Sequence, residues 1–225
     1  MLPKIHKSSI CILVSGGLDS AILLGESLKK YTRVYPVYIS ANLRWEKAER
    51  HWLAKMLKSV RNSRLKTLKV LSVPTDDLLS EKHWGLSGPT PDFHASDDSV
   101  YLPGRNLLLL SKAGVYCALN GIPRVALGTL VLNSFSDTKM KFFKNMQKAV
   151  KWGTGHDLKI LAPFASLYKK DILKLVPGFP IEFTFSCIEP EGVWHCGRCA
   201  KCAERRQAFQ EASIPDPTWY NKIPN

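Results

Sequence analysis

A doubly wound parallel α/β sheet is the fold this sequence predicts, and three observations predict it. Short β-branched runs alternate with helix-period segments along most of the chain. The first strand-like run ends in Ser15-Gly16-Gly17 immediately before a helix-like segment. No internal repeat or low-complexity run competes with that alternation. A strand, a crossover helix and a parallel strand, repeated, give an open sheet covered on both faces.

The elements follow in order. Residues 10–14 form a short apolar strand and 19–29 a helix. Residues 34–39, rich in β-branched and aromatic side chains, form a second strand. Over 45–58, Ala48, Trp52, Leu53, Met56 and Leu57 fall at helical spacing. Residues 68–73 form a third strand, closed by Pro74. The stretch 75–99 carries Pro, Gly, Ser and Asp without a period, the composition of a functional loop such as a lid. Pro103-Gly104-Arg105-Asn106 opens a helix over 107–119, and 125–127 is a fourth strand ending at Gly128. Helices over 140–152, 169–175 and 201–212 and a strand over 160–162 complete the pattern. The α/β domain spans 1–180, and 181–225 is a cysteine-bearing segment packed on it.

With 225 residues, 45% of them hydrophobic, the chain can bury one full core but not two. It has no apolar run of membrane-spanning length and begins with a polar, basic stretch, so a cytoplasmic enzyme without a membrane partner is expected. The net charge of +13 reads either as a nucleic-acid surface or as a solvated basic face that attracts nucleotides. In the absence of a nucleic-acid motif the second reading is preferred.

Two motifs carry chemistry. Val14-Ser15-Gly16-Gly17-Leu18-Asp19-Ser20 runs from a buried strand into a helix start. Adjacent glycines let backbone amides approach an anion, and the helix dipole favours negative charge there. Ser15 and Ser20 add hydroxyls, and Asp19 can cap the helix or help hold Mg2+. No Gly-Lys-Ser/Thr follows, so this is not a Walker loop; it resembles the Ser-Gly-Gly-x-Asp-Ser signature of the PP-loop ATP pyrophosphatases, which implies ATP. The second motif is Cys187-x8-Cys196-x2-Cys199-x2-Cys202. Four soft thiolates form a closed tetrahedral Zn2+ site of structural role, and an iron–sulfur cluster is the alternative. Gly197 permits the turn, Arg198, Lys201, Arg205 and Arg206 are placed to offset thiolate charge, and His195 is a bystander. Cys11 and Cys117 read as core residues.

In motif order along nearly its whole length, the chain resembles the 7-cyano-7-deazaguanine synthase family (QueC, also called ExsB). The matching stretches are 14–20, 102–106 and Phe185-Ser186-Cys187 through Cys202 to Arg205 and Phe209, with Pro215-Asp216-Pro217 closing. Leu167-Tyr168-Lys169 falls where the family has Leu-Thr-Lys, so the resemblance makes Lys169 a phosphate contact. Two stretches depart. Where the family has Asp-Tyr-Gly-Gln-Arg-His, this chain reads Ser40-Ala41-Asn42-Leu43-Arg44-Trp45-Glu46, and after Gly128 only Asp137 keeps register. The resemblance implies catalytic roles for Asp19, Arg105 and Lys169, nucleotide contacts from 14–20 and Gly128, and substrate contacts from Arg105, Asn106 and Asp137. It implies ATP, Mg2+ and Zn2+ as cofactors, a deazapurine carboxylate and ammonia as substrates, and a homodimer. From the residues alone, Arg105 could equally be an ion-pair partner, Lys169 a solvated helix-start residue, and Asp137 the N-cap of the helix beginning at Met140. Other readings are a ligase on another carboxylic acid, a tRNA-modifying PP-loop enzyme, and a zinc-knuckle nucleic-acid-binding protein.

Overall fold

The computed structural model describes residues 6–222. Five parallel strands make one sheet in the order β3-β2-β1-β4-β5. They are β1 His6–Leu13, β2 Tyr31–Ser40, β3 Lys69–Ser72, β4 Arg124–Ala126 and β5 Lys159–Leu161. The helices are α1 Leu18–Lys30, α2 Glu46–Ser59, α3 Arg105–Leu119, α4 Met140–Thr154, α5 Lys169–Ile172 and α6 Ala200–Ala212. Each crossover that the alternation predicts is present; α5 is shorter than expected and stops well before Pro177.

The alternation of β1 separates two cores. Ile10, Ile12 and Val14 join Leu24 of α1, Leu53 of α2, Ile172 of α5 and Phe209 of α6 on one face. Cys11 points the other way, into a layer with Leu110 and Cys117 of α3, Phe143 and Val150 of α4, and Val125 of β4. Cys11 and Cys117 are therefore packing residues, and burial together with their mutual hydrogen bond pushes the Cys11 thiol up. A third cluster holds the four motif cysteines with Trp45, Ala48 and Phe185.

Pro36 lies inside a strand that is paired on both sides, where a missing N–H would normally break a ladder. Here β3 pairs only from Val37 onward, and the bridge Val34–Leu65 lies on the other side of the proline, so Pro36 occupies a gap in the pairing. The order reverses between β1 and β4, which opens a crevice beyond the strand ends. The loop after β1 and the start of α3 both face it.

Residues 75–99 are fastened to the body. Trp84 stacks on Trp45 at 5.4 Å and 10°, and the Arg44 guanidinium donates to the Gly88 carbonyl at 2.7 Å. Among the described residues no helix is long and apolar enough to cross a membrane.

The α3–α4 contact is tight at Gly114, where an added Cβ would stand 2.6 Å from Val150 Cγ2. Gly114→Leu is expected to lower stability by about 1–3 kcal/mol, read as a lower denaturant midpoint with an unchanged slope.

Candidate active site

The loop after β1 is shaped by its own hydroxyls. Ser15 N–H donates to Ser20 Oγ at 3.2 Å, Gly17 N–H to Ser15 Oγ at 3.3 Å, and Ser20 Oγ–H to the Gly17 carbonyl at 3.0 Å. Gly16 adopts φ +83°, and a Cβ there would meet the Glu49 carbonyl at 3.2 Å, so position 16 needs glycine on two counts. Gly17 is the N-cap of α1, with no side chain capping the first-turn amides. Asp19 is thus not the cap that sequence allowed; it sits in the first turn and faces α5. The unsatisfied amides and helix dipole make this an anion seat. Gly128 closes over it, and a Cβ there would fall 3.0 Å from the Asp19 carbonyl carbon.

Lys169 enters from α5. Its ammonium lies 3.4 Å from Asp19 Oδ2 and pairs closely with Glu204 of α6, whose other oxygen takes Lys201 at 2.5 Å. Lys169 is therefore neither solvated nor free. Burial lowers its proton affinity, but the two carboxylates outweigh that and hold it cationic. Burial pushes the Asp19 carboxyl up against the pull of Lys169. Burial also disfavours ionised Glu204, yet Lys169 and Lys201 prevail and bring it down to about 2. Asp19 Oδ1 is buried without a hydrogen-bond partner, as is Thr129 Oγ1. Buried polar atoms need partners, and an orphaned carboxylate oxygen beside an anion seat fits a cation carried in with phosphates.

Two adjoining cavities meet over the loop. One, of about 240 Å3, runs along the ends of β1 and β2 to Asn106 and Asp137 of the opposite wall. The other, of about 600 Å3, is walled by Trp84, Phe93, Tyr168, Lys169 and Glu204. Ser15, Asp19, Glu49, Arg105 and Gly128 line both. Arg105 is exposed and its side chain makes no hydrogen bond or close ion pair among the described residues; its guanidinium faces the cavities and acts on Glu49 only through space. Asp137 does not cap the helix at Met140, whose N-cap is Lys139. It accepts instead from the Asn106 N–H at 3.0 Å and its amide at 3.2 Å, tying the start of α3 to the loop after Gly128.

Glu46 and Glu49 lie in a stretch that carried no motif in the sequence. Glu46 accepts from the Ala41 N–H at 2.6 Å and from Ser40 Oγ at 2.5 Å, which fixes the turn after β2. Glu49 is buried and accepts from the Tyr38 hydroxyl at 2.9 Å. Only the W-E-x-x-E spacing at a helix start could have signalled them.

The four motif cysteines are buried, with their sulfurs all within 4.8 Å of one another. Cys187–Cys199, Cys196–Cys202 and Cys199–Cys202 are 3.8, 4.0 and 3.6 Å apart. A tetrahedron with metal–sulfur bonds of about 2.3 Å has sulfurs about 3.8 Å apart, so the donor set fits a tetrahedral ion. Gly197 holds φ +81°, and a Cβ there would strike the Lys222 carbonyl at 1.4 Å. Thiolate charge is met by backbone amides, with Arg198 acting on Cys196 and Arg205 on Cys202 through space. Glu189 N–H and Cys196 N–H point at Cys187 Sγ at 3.3 Å, and Arg198 N–H at Cys196 Sγ at 3.4 Å. Arg198 is paired with Glu189 and Glu191, Lys201 with Glu204, and Arg206 lies over Phe93. Arg205 is fully buried, donating to Thr218 Oγ1 at 2.5 Å and Ser186 Oγ at 3.3 Å. His195 is not among the sulfur cluster; its Nε2 accepts from the Ser186 N–H at 3.1 Å, and burial lowers its pKa to about 3. The segment docks on the loop through the Phe185 N–H, which donates to the Gly16 carbonyl at 2.8 Å.

The family model described as Queuosine biosynthesis protein QueC matches residues 9–213. A protein of Thermoplasma volcanium named 7-cyano-7-deazaguanine synthase is 31% identical over 95% of this chain and 91% of its own. One of the same name from Porphyromonas gingivalis is 28% identical over 93% of this chain and 96% of its own. Among solved structures, a 4-thiouridine synthetase in complex with RNA and bound ATP covers 92% of this chain with half of its own length. It superposes with a TM-score of 0.50 at 14% identity, a likeness of fold alone.

Two outcomes test this geometry. Elemental analysis should find one tightly held metal ion per chain, and Cys199→Ser should release it and lower the melting temperature. Glu204, brought to about 2 from an ordinary 4.5, stabilises the fold above pH 4.5 and loses that contribution as pH falls toward 2. Melting curves of wild type should therefore fall more steeply across that window than those of Glu204→Gln.

Proposed function

The chain belongs to the QueC family, and on that premise we propose that it is an ATP-dependent carbon–nitrogen ligase making 7-cyano-7-deazaguanine from 7-carboxy-7-deazaguanine and ammonia. The observation that carries the reading is the meeting of two cavities over an uncapped helix start, with Arg105 and Lys169 beside it. One cavity takes the nucleotide and the other the acid, and their junction is where the reacting atoms meet.

A carboxylate resists ammonia because its oxide cannot leave. Attack of a carboxylate oxygen on the α-phosphorus of ATP expels pyrophosphate and gives an acyl adenylate whose leaving group is AMP. Ammonia then forms the amide and releases AMP. A second activation, at the amide oxygen, lets that oxygen depart with AMP and leaves the nitrile.

The chain's own residues bind, orient and shield. The amides of 15–20 that the loop's own hydroxyls leave free, those of the first turn of α1, hold the pyrophosphate portion, leaving the α-phosphorus open. Arg105 and Lys169 counter phosphate charge, and Mg2+, when it arrives with ATP, supplies further neutralisation beside Asp19. Asn106 and Asp137 position the acid through the start of α3. The aromatic walls of the larger cavity exclude water, which would otherwise hydrolyse the adenylate. The four cysteines hold Zn2+ with no open coordination position, so the metal organises the segment carrying Phe185 and Glu204 and takes no part in the chemistry.

Purified protein with ATP, Mg2+, ammonium and 7-carboxy-7-deazaguanine should form the nitrile, AMP and pyrophosphate. Lys169→Ala should lower AMP formation at least about 100-fold without releasing the knuckle metal. Absence of acid-dependent AMP from protein shown to bind ATP would overturn the substrate assignment.

A further inference from the structure

The residues shared by the two cavities mark the place where acid, phosphate and incoming nitrogen converge. Two of them, Asp19 and Glu49, are carboxylic acids. Asp19 is committed to Lys169. Glu49 is not: it makes no ion pair among the described residues, is 9% exposed, and is held by the Tyr38 hydroxyl. A carboxyl of this kind, buried, with no cation at ion-pair distance and facing a reaction space, has no structural need for its charge.

We propose that Glu49 is the general base that takes the proton from ammonium at this junction. The inference rests on the ligase reading above. In the step, an N–H bond of ammonium breaks and its proton passes to the Glu49 carboxylate. The freed lone pair forms the C–N bond at the acyl carbon, and the C–O bond to AMP breaks with its electron pair. The second proton, lost from nitrogen as the amide forms, goes to water in the cleft.

The surroundings suit the task. Facing Glu49 are Tyr38 of β2, Trp45 and Glu46 at the start of α2, and Arg105 of α3, with Asp19 of α1 lining the same space. Burial raises the carboxyl to about 8, against the pull of Arg105 and the Tyr38 hydrogen bond. A base is most effective when its proton affinity lies near the working pH, and an exposed carboxylate would be too weak to deprotonate ammonium. Ammonium, being a cation, is also drawn to an acidic pocket as neutral amines are not.

The test separates activation from nitrogen attack. Pyrophosphate exchange into ATP, dependent on 7-carboxy-7-deazaguanine, reads adenylation alone. Hydroxylamine, already neutral at pH 7, traps the adenylate without needing a base. Glu49→Gln is expected to keep exchange and hydroxamate formation within a few-fold of wild type while ammonium-dependent turnover falls about 100-fold. Tyr38→Phe removes a hydrogen bond that favours ionised Glu49, so the rising limb of the ammonium pH profile should move to higher pH with exchange unchanged. Ammonium turnover retained in Glu49→Gln, equal loss of exchange and turnover, or an unmoved limb in Tyr38→Phe would each overturn the assignment. A wild type that shows no exchange with this acid would overturn the substrate reading and the inference with it.

Discussion

One largely buried cation, Lys169, joins three segments that are far apart in sequence. Its ammonium lies between Asp19 at the start of α1 and Glu204 in α6. Taking these charges out of water is costly, and only their mutual attraction offsets it. Loss of either acid would leave an uncompensated charge in a confined space, so α1, α5 and α6 cannot shift independently. The phosphate loop, the lysine and the cysteine segment are thereby held in one arrangement. The Phe185–Gly16 hydrogen bond works in the same direction from the backbone side.

The same constraint explains why the cysteine segment is part of the site although no cysteine faces the cavities. Four sulfurs gathered within 4.8 Å fix the turn around Gly197 and the start of α6, which begins directly after Cys199. That start places Lys201 directly before the ligand Cys202 and Glu204 two residues after it, less than one turn away. Arg205, buried one position on, fastens the closing segment through Thr218 and Ser186. Geometry imposed by sulfur thus reaches the nucleotide side through a helix of known pitch.

Much of this was legible in the sequence because it is local. Strand and helix periods announced every element of the sheet, and Ser15-Gly16-Gly17 and the cysteine spacing carry their geometry within a few residues. Less legible were relations that exist only after folding. Glu204 looks like any surface acid on a helix, and Glu49 like one turn of an amphipathic stretch. Thiolate compensation by backbone amides could not be seen, since amides are present at every residue and only the turn aims them. Asp137, for which the residues alone allowed a cap on the helix that follows it, serves Asn106, thirty-one residues earlier in the chain.

The turn after β2 is where this chain departs from its family pattern, and the structure gives that departure a physical form. In place of a polar, basic run, it carries Ala41, Leu43 and Trp45, all buried, with Glu46 locking the backbone through Ala41 and Ser40. Trp45 stacks on Trp84, so the turn also pins the 75–99 segment that walls the larger cavity. A wall made of stacked aromatics selects for flat, apolar faces, while the hydrogen-bonding edges of the bound acid must be read elsewhere. Under the proposed function, the groups left for that reading are Arg105 at the junction and the Asn106–Asp137 pair in the smaller cavity. On the proposed function, recognition therefore divides between a face held by aromatics and an edge held by charges, with the loop after β1 between them.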